Sequence, residues 1–380
     1  MTIDVEFAHR HSTARDCTVR VAIATPQSRA ERESHEQAAL SPGATLSHGA
    51  GDRAIDEAPD PIRTCFERDR DRILHSSAFR RLAGKTQVFI FPADHQRTRL
   101  THALEVAQVA TSIGRALRLN VALIEAIALG HDCGHGPGGH ASEDALSPYL
   151  SEGYDHAVWG ADVVLDDLNL CTQTLDGIRN HSWSRPAPGT PEGEVVSWAD
   201  RIAYVCHDFE DATSAGIVTS EMLPVQVREQ AGPTRREQLA TFIDGVVDAA
   251  TSSGAIGMTR GPADTLAVFR SFNYEHIYLR PASQTQAQLV TEVLRALVES
   301  YADRPYLLPR RQITAFSERE AGPERPFSER EAGPERPFSE REALRCAVGY
   351  VAGMTDRYAV RCAVSQLGWD ASKLLAFSPG

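Results

Sequence analysis

Apolar residues along the middle of the chain recur at helical spacings. Leu104, Val106, Ala107, Val109, Ile113 and Leu117 fit a helix that buries a wide stripe. Arg99 and His102, three apart near its start, share one face. The run VALIEAIALG (121–130) is apolar but interrupted by Glu125 and too short for a membrane span, so it reads as a core helix. It ends at His131–Asp132, where Gly134, Gly136 and Pro137 stop the helix. The segment EVVSWADRIAYVCHDFEDA (194–212) predicts a long helix. On it, Asp200, Tyr204, His207, Asp208 and Asp211 share a face, while Ile202, Ala203, Cys206 and Phe209 supply the apolar remainder. Alternating strand patterns are scarce, so the expected fold is all or mostly α.

Residues 1–60 are rich in Ala, Ser, Glu, Arg and Gly without sustained periodicity, and read as a poorly ordered or variable extension. Residues 61–310 show no obvious linker and read as one large helical region. Residues 316–342 hold a tandem repeat, FSEREAGPERP twice and then FSERE. Gly-Pro inside each unit breaks any continuous helix, so the repeat reads as an exposed surface loop.

The net charge of -12 argues against a generally adhesive nucleic-acid or anionic-membrane surface, but not against an anionic substrate. The seven cysteines are scattered without a C-x-x-C pair, which excludes a cysteine-ligated zinc module and gives no disulfide framework. No basic region followed by an apolar run opens the chain, and the expectation is a soluble cytoplasmic protein.

His102, the His131–Asp132 pair and Asp200 all sit in helical segments. Two imidazoles and two carboxylates suit a divalent metal able to activate water. The glycine-rich loop after the pair adds His135, His140 and Glu143 as candidates for proton transfer. The plainer reading makes Asp132 a turn cap and His131 a satisfied core imidazole. Four ligand-type residues in order, followed by such a loop, outweigh it. Arg80, Arg81, Lys85, Arg97 and Arg99 cluster in sequence beside the first candidate ligand.

Six segments carry a resemblance: RDRDRILHSSAFRRLAGKTQVF (68–89), RTRLTHALEVAQ (97–108), HDCGHGPGGHASEDAL (131–146), GYDHAVWGADVV (153–164), SWADRIAYVCHDFEDA (197–212) and AGMTDRYA (352–359). In these the chain resembles the HD-domain metal-dependent phosphohydrolases, specifically the deoxyguanosine triphosphate triphosphohydrolase-like proteins. The resemblance implies an HD-domain helical fold with additional C-terminal helices. Its core would span 61–225, with 226–315 completing a nucleotide cavity and 343–380 forming a C-terminal helical segment. It also implies hydrolysis of a deoxynucleoside triphosphate to deoxynucleoside and tripolyphosphate, in a homo-oligomer.

By the same resemblance, His102, His131, Asp132 and Asp200 bind one divalent ion, better matched to Mn, Fe, Co, Ni or Zn than to Mg. His140 and Glu143 match the proton-handling pair, and His135 and His156 the phosphate-facing histidines. Tyr204 and Asp208 resemble sugar contacts, and Gln87 a contact to base or sugar. Arg99, then Arg80, Arg81 and Lys85, are expected to hold the triphosphate. Asn273, Tyr274 and Tyr278 are expected to close the cavity. The family reads HPPFGH where this chain has HGPGGH (135–140), which removes stiffening bulk beside the site. Two alternatives stand: an HD hydrolase of a monophosphate or signalling nucleotide, and an inactive nucleotide-sensing or single-strand-binding module.

Deleting one 11-residue unit of the repeat is expected to leave thermal stability and turnover nearly unchanged. A large loss of either would make the repeat structural or regulatory.

Overall fold

A hydroxyl residue followed three positions later by glutamate opens several helices: Ser28/Glu31, Thr64/Glu67, Thr234/Glu237 and Ser339/Glu342. In each, the hydroxyl accepts from the third helical amide and the glutamate accepts from the cap amide, so the first turn begins with its donors satisfied. A computed structural model of the chain describes residues 25–90, 95–309 and 339–375, except for the side chains of 373 and 375.

In chain order the helices are α1 (Arg29–Ala39), α2 (Cys65–His75), α3 (Ser77–Arg81), α4 (Arg99–Ala116) and α5 (Val121–Gly130). They continue with α6 (Ala141–Leu146), α7 (His156–Trp159), α8 (Thr172–Asn180), α9 (Pro191–Ser214) and α10 (Val225–Gln230). The last are α11 (Arg235–Ser253), α12 (Arg260–Asn273), α13 (Pro281–Asp303), α14 (Glu340–Ala352), α15 (Asp356–Leu367) and α16 (Ala371–Leu375). No strand forms among the described residues, and the all-α expectation holds. None of these helices is long and apolar enough to cross a membrane.

Two apolar cores organise the packing. In the first, α2, α4, α5 and α9 surround Ile73, Val106, Ile113, Ile127 and Ile202, and α11 and α12 add Phe242 and Phe269. In the second, α6, α13, α14 and α15 bury Leu146, Leu297, Val351 and Ala363. The first core runs on past residue 225 to Ile277, within a π-helical turn over Tyr274–Tyr278. Leu104, expected in the buried stripe of α4, is 48% exposed. The buried stripe instead follows Ala103, Val106, Val109, Ala110 and Ile113.

Residues 25–60 differ from the expected poorly ordered extension; residues 1–24 lie outside the described residues. α1 is followed by a segment tied down through polar groups. Glu36 accepts from Ser47 N and Oγ, and Glu192 accepts from Thr45 N and Oγ1. The Arg53 guanidinium donates to Asp69 Oδ1 at 2.6 Å and to the Cys65 carbonyl at 3.0 Å. Such anchoring leaves no apolar period to read. The repeat also differs in part. Residues 316–338 lie outside the described residues, but Ser339–Glu342 begin α14, with Glu342 buried.

Asp69, fully buried, accepts from Arg53, from Cys171 N at 2.9 Å and from Thr174 Oγ1 at 2.7 Å. Asp69→Ala is expected to destabilise the protein by about 3–5 kcal/mol, because it breaks a buried ion pair and leaves Cys171 N and Thr174 Oγ1 without their acceptor. Urea unfolding measures this, and an unchanged midpoint would contradict the anchoring role.

Candidate metal centre and active site

The start of α4, the C-terminal ends of α5 and α8 and the middle of α9 meet around a cluster of imidazoles and carboxylates. His131 follows the last turn of α5, and its Nδ1 lies 2.7 Å from the Ala128 carbonyl. That bond puts the proton on Nδ1 and leaves Nε2 as a bare lone pair, buried without a hydrogen-bond partner. His102 on α4 brings Nε2 to 3.0 Å from Asp200 Oδ1 on α9. His131 Nε2 lies 3.7 Å from the same oxygen and 3.5 Å from Asp132 Oδ1. His102 Nε2 lies 4.0 Å from Asp132 Oδ2.

Donor atoms at such separations suit ligands each about 2.0–2.2 Å from a shared centre. The orphaned Nε2 of His131, aimed at two carboxylates, fits a divalent ion. His102, His131 and Asp200 group mutually within 4.8 Å, and His131, Asp132 and His181 form a second such group. Asp132 is drawn toward Arg99, which donates to its Oδ2 at 2.8 Å.

Burial opposes charge on Asp132, but Arg99, His131 and His135 outweigh it and hold the carboxyl well below its ordinary range. Asp200 is likewise held down against burial by His102, with His131 and His181. His102 is raised, because its carboxylate neighbours outweigh its burial. Access comes from the α9 side, where Asp200 is 20% exposed while His102 is 2% exposed.

Gly134, in the turn after His131–Asp132, permits this closure. A Cβ there would stand 2.0 Å from the His156 carbonyl oxygen and 2.5 Å from Gly160 N, so two backbones cross where only glycine fits. Gly138 (φ 74°) and Gly139 (φ 63°) turn the loop back toward α6 in the left-handed region.

Around the candidate metal group lie further histidines. His135 Nε2 is 3.2 Å from Asp132 Oδ1, and its ring stacks on His156 with centroids 3.7 Å apart. Burial, with Arg99 and His156 nearby, pushes the His135 imidazole far below its usual value. Glu143 hydrogen-bonds His156 Nδ1, and that contact raises His156 despite burial. The expected His140–Glu143 pair is looser: His140 Nδ1 stays 3.9 Å from Glu143 Oε2, with 76% of its side chain exposed.

The expected cation set divides. Arg99 joins the cluster. Lys85 does not face it as a free cation: it is buried, and its Nζ donates to the backbone carbonyls of His135 and Ala352. Burial lowers it to about 7. Arg80 and Arg81 donate to His75 O and Ser77 Oγ in their own stretch. Arg97 is held by Glu105, Glu210 and Asp211. Asp211 and His207, on the same face of α9 as Asp200, are thus taken up by this charged group, His207 Nδ1 sitting 3.3 Å from Glu105.

Tyr204 and Asp208 remain one turn and two turns beyond Asp200. The Tyr204 hydroxyl accepts from Arg270 Nε at 2.8 Å, and Arg270 also lies over the half-exposed ring of Tyr274. Tyr278 donates to Asp208, which burial lifts to about 7. Asn273 donates to the Val205 carbonyl, a structural bond. Gln87 has a buried amide oxygen without a partner.

Three residues escaped the sequence reading. His181 ends α8 as His131 ends α5, its Nδ1 2.7 Å from the Ile178 carbonyl and its Nε2 3.2 Å from His156 Nε2. A histidine directly after a helix was the available signal. Arg201, next to Asp200, stacks 3.2 Å over Trp183, and neither it nor Arg270 has a carboxylate partner among the described residues.

The HD domain family matches residues 99–205, which span all four candidate ligands, and the phosphohydrolase-associated domain family matches 256–364. A deoxyguanosinetriphosphate triphosphohydrolase-like protein of Caldanaerobacter subterraneus is 37% identical over 86% of this chain and 92% of its own. The chain belongs to the HD-domain phosphohydrolases, among the deoxyguanosinetriphosphate triphosphohydrolase-like proteins. Relatives of that description include one from Clostridium perfringens strain SM101, 41% identical over 71% of this chain and 83% of that one. Another, from Deinococcus radiodurans, is 35% identical over 87% and 97%. HD domains are metal-dependent hydrolases, and the buried histidine–aspartate cluster is this chain's candidate metal site.

Gly134→Ala is expected to disrupt the HD turn, lowering both melting temperature and bound metal, because its Cβ meets backbone that cannot move aside. Wild-type metal content in that variant would contradict this account of the turn.

Proposed function

We propose that the chain hydrolyses a deoxynucleoside triphosphate to deoxynucleoside and tripolyphosphate. The convergence of His102, His131, Asp132 and Asp200 beside a histidine–glutamate relay carries this reading. When bound, the divalent ion would polarise the α-phosphate and lower the pKa of a coordinated water.

The remaining work falls to side chains. His102, His131, Asp132 and Asp200 hold the ion, and Arg99 keeps Asp132 ionised and oriented. Expulsion of the 5′-oxygen requires a proton, which His140 donates with Glu143 stabilising the imidazolium. The exposure of His140 supports this, since it leaves the ring free to meet substrate. His135 and His156 face the phosphates. Tyr204, bonded to Arg270, and the Tyr278–Asp208 pair are suited to a deoxyribose. Arg201 and Arg270, without an acid partner among the described residues, supply cationic contacts for the triphosphate in place of Lys85, Arg80 and Arg81.

Chromatography of products from each of the four deoxynucleoside triphosphates, with and without manganese, tests the proposal. Tripolyphosphate with free deoxynucleoside is expected. Orthophosphate or pyrophosphate would favour an HD hydrolase of another nucleotide, and no turnover at all a nucleotide-sensing module.

His140→Ala is expected to lower turnover about 10²–10⁴-fold while retaining its metal. Glu143→Gln should lose less, and the double variant should not show the sum of the losses. Near-normal turnover in His140→Ala would transfer the role to His135 or His156.

A further inference from the structure

The loop from Gly134 to His140 has little side-chain packing of its own, since four of its seven residues are glycine. On one side a cavity of about 30 Å³ lies against it, lined by Pro137, Gly138, Val290, Val293, Asp356 and Ala359. What holds the loop is polar. Within it, Gly136 N donates to Ser142 Oγ at 3.0 Å, and Ser142 Oγ donates to the Gly139 carbonyl at 2.6 Å. From outside, two charged side chains reach it. Lys85 Nζ joins the His135 carbonyl to the Ala352 carbonyl. Asp356, at the first turn of α15, accepts from Gly138 N through Oδ1 at 2.9 Å and from Thr86 Oγ1 through Oδ2.

These ties lead back to the metal group. Thr86 pairs as an isolated bridge with Thr98, the cap residue of α4, and Arg99 N donates to the Lys85 carbonyl at 3.2 Å. Asp356 therefore joins the loop that carries His135 and His140 to the segment that launches Arg99 and His102. Its donors are distant in sequence, and the carboxylate is buried among them.

We infer that Asp356 is a positioning residue, through which the C-terminal helices fix the register of the His135–His140 loop against the start of α4. This rests on the hydrolase reading for its effect on turnover, and gives the phosphohydrolase-associated segment a part in the reaction. The carboxylate suits the task because both oxygens accept, so two donors from different segments meet on one side chain. Asparagine can keep both contacts, since its carbonyl accepts from Gly138 N–H and its amide can donate to a reoriented Thr86 hydroxyl. Alanine keeps neither and takes from the part-buried Gly138 N–H the acceptor that fixes it.

The test uses the full chain as Asp356→Ala, Asp356→Asn and Thr86→Val, with hydrogen exchange, metal content and steady-state kinetics. In Asp356→Ala, exchange at residues 136–140 should rise while α4 and α9 keep their protection and the metal stays bound. Its kcat should fall about 10²-fold at nearly unchanged KM, the scale of a small misplacement of catalytic groups. Asp356→Asn should recover most of that loss, and Thr86→Val should show the same changes to a smaller degree. Unchanged loop exchange in Asp356→Ala would overturn the inference. So would exchange raised equally throughout the chain without recovery in Asp356→Asn. Should Asp356→Ala fail to fold, Thr86→Val decides alone, and wild-type loop exchange and kcat in it would overturn the inference. Should the wild type turn over no deoxynucleoside triphosphate, the substrate reading fails while loop exchange still decides the positioning role.

Discussion

Asp132 keeps its charge at 3% exposure, and a carboxylate cannot do so in an apolar interior without partners. Arg99 supplies the permanent positive charge at 2.8 Å, and His131 and His135 crowd the other oxygen. That requirement ties the start of α4 to the end of α5. Because Arg99 and His102 are three residues apart, docking the guanidinium on Asp132 also delivers His102 to Asp200. Removing Arg99 would leave the buried Asp132 carboxylate with imidazoles alone beside it.

Backbone carbonyls at helix ends set the imidazoles. His131 and His181 use the same device, Nδ1 directed at a carbonyl three residues earlier, so that Nε2 faces inward. Their rings stand 4.9 Å apart at 78°. A metal ligand needs this arrangement, because a proton fixed on one nitrogen leaves the other free to coordinate. Gly134 then lets the HD turn press against the α7 backbone, bringing His156 onto His135. The site is thus built mainly from helix ends and a glycine crossing, with the two apolar cores holding those ends in place.

The helices that carry this site were legible because they combine periodicity with clear stops. α5 runs from Val121 to Gly130 as its apolar pattern indicates, and α9 extends a few residues beyond the predicted stretch at each end. The side-chain neighbours of the ligands were less legible. Lys85 and Arg97 stand beside Arg99 in sequence, but one docks on backbone carbonyls and the other in an acidic pocket formed with α9. Neither fate can be read without knowing which segment lies across from it. His181 and Arg270 escaped for the converse reason: they are remote in sequence from the motifs they approach. Of the extension read over 1–60, residues 25–60 differ because glutamates and an arginine, rather than an apolar stripe, hold them.

Every role given to these side chains depends on the cluster being a true metal site. Elemental analysis of the full chain, loaded with manganese and freed of excess, compared with His131→Ala, addresses that directly. The account predicts a tightly held divalent ion in the wild type, and its loss from His131→Ala with helical content unchanged. A metal-free wild type after loading, or a His131→Ala variant that retains the ion, would contradict it.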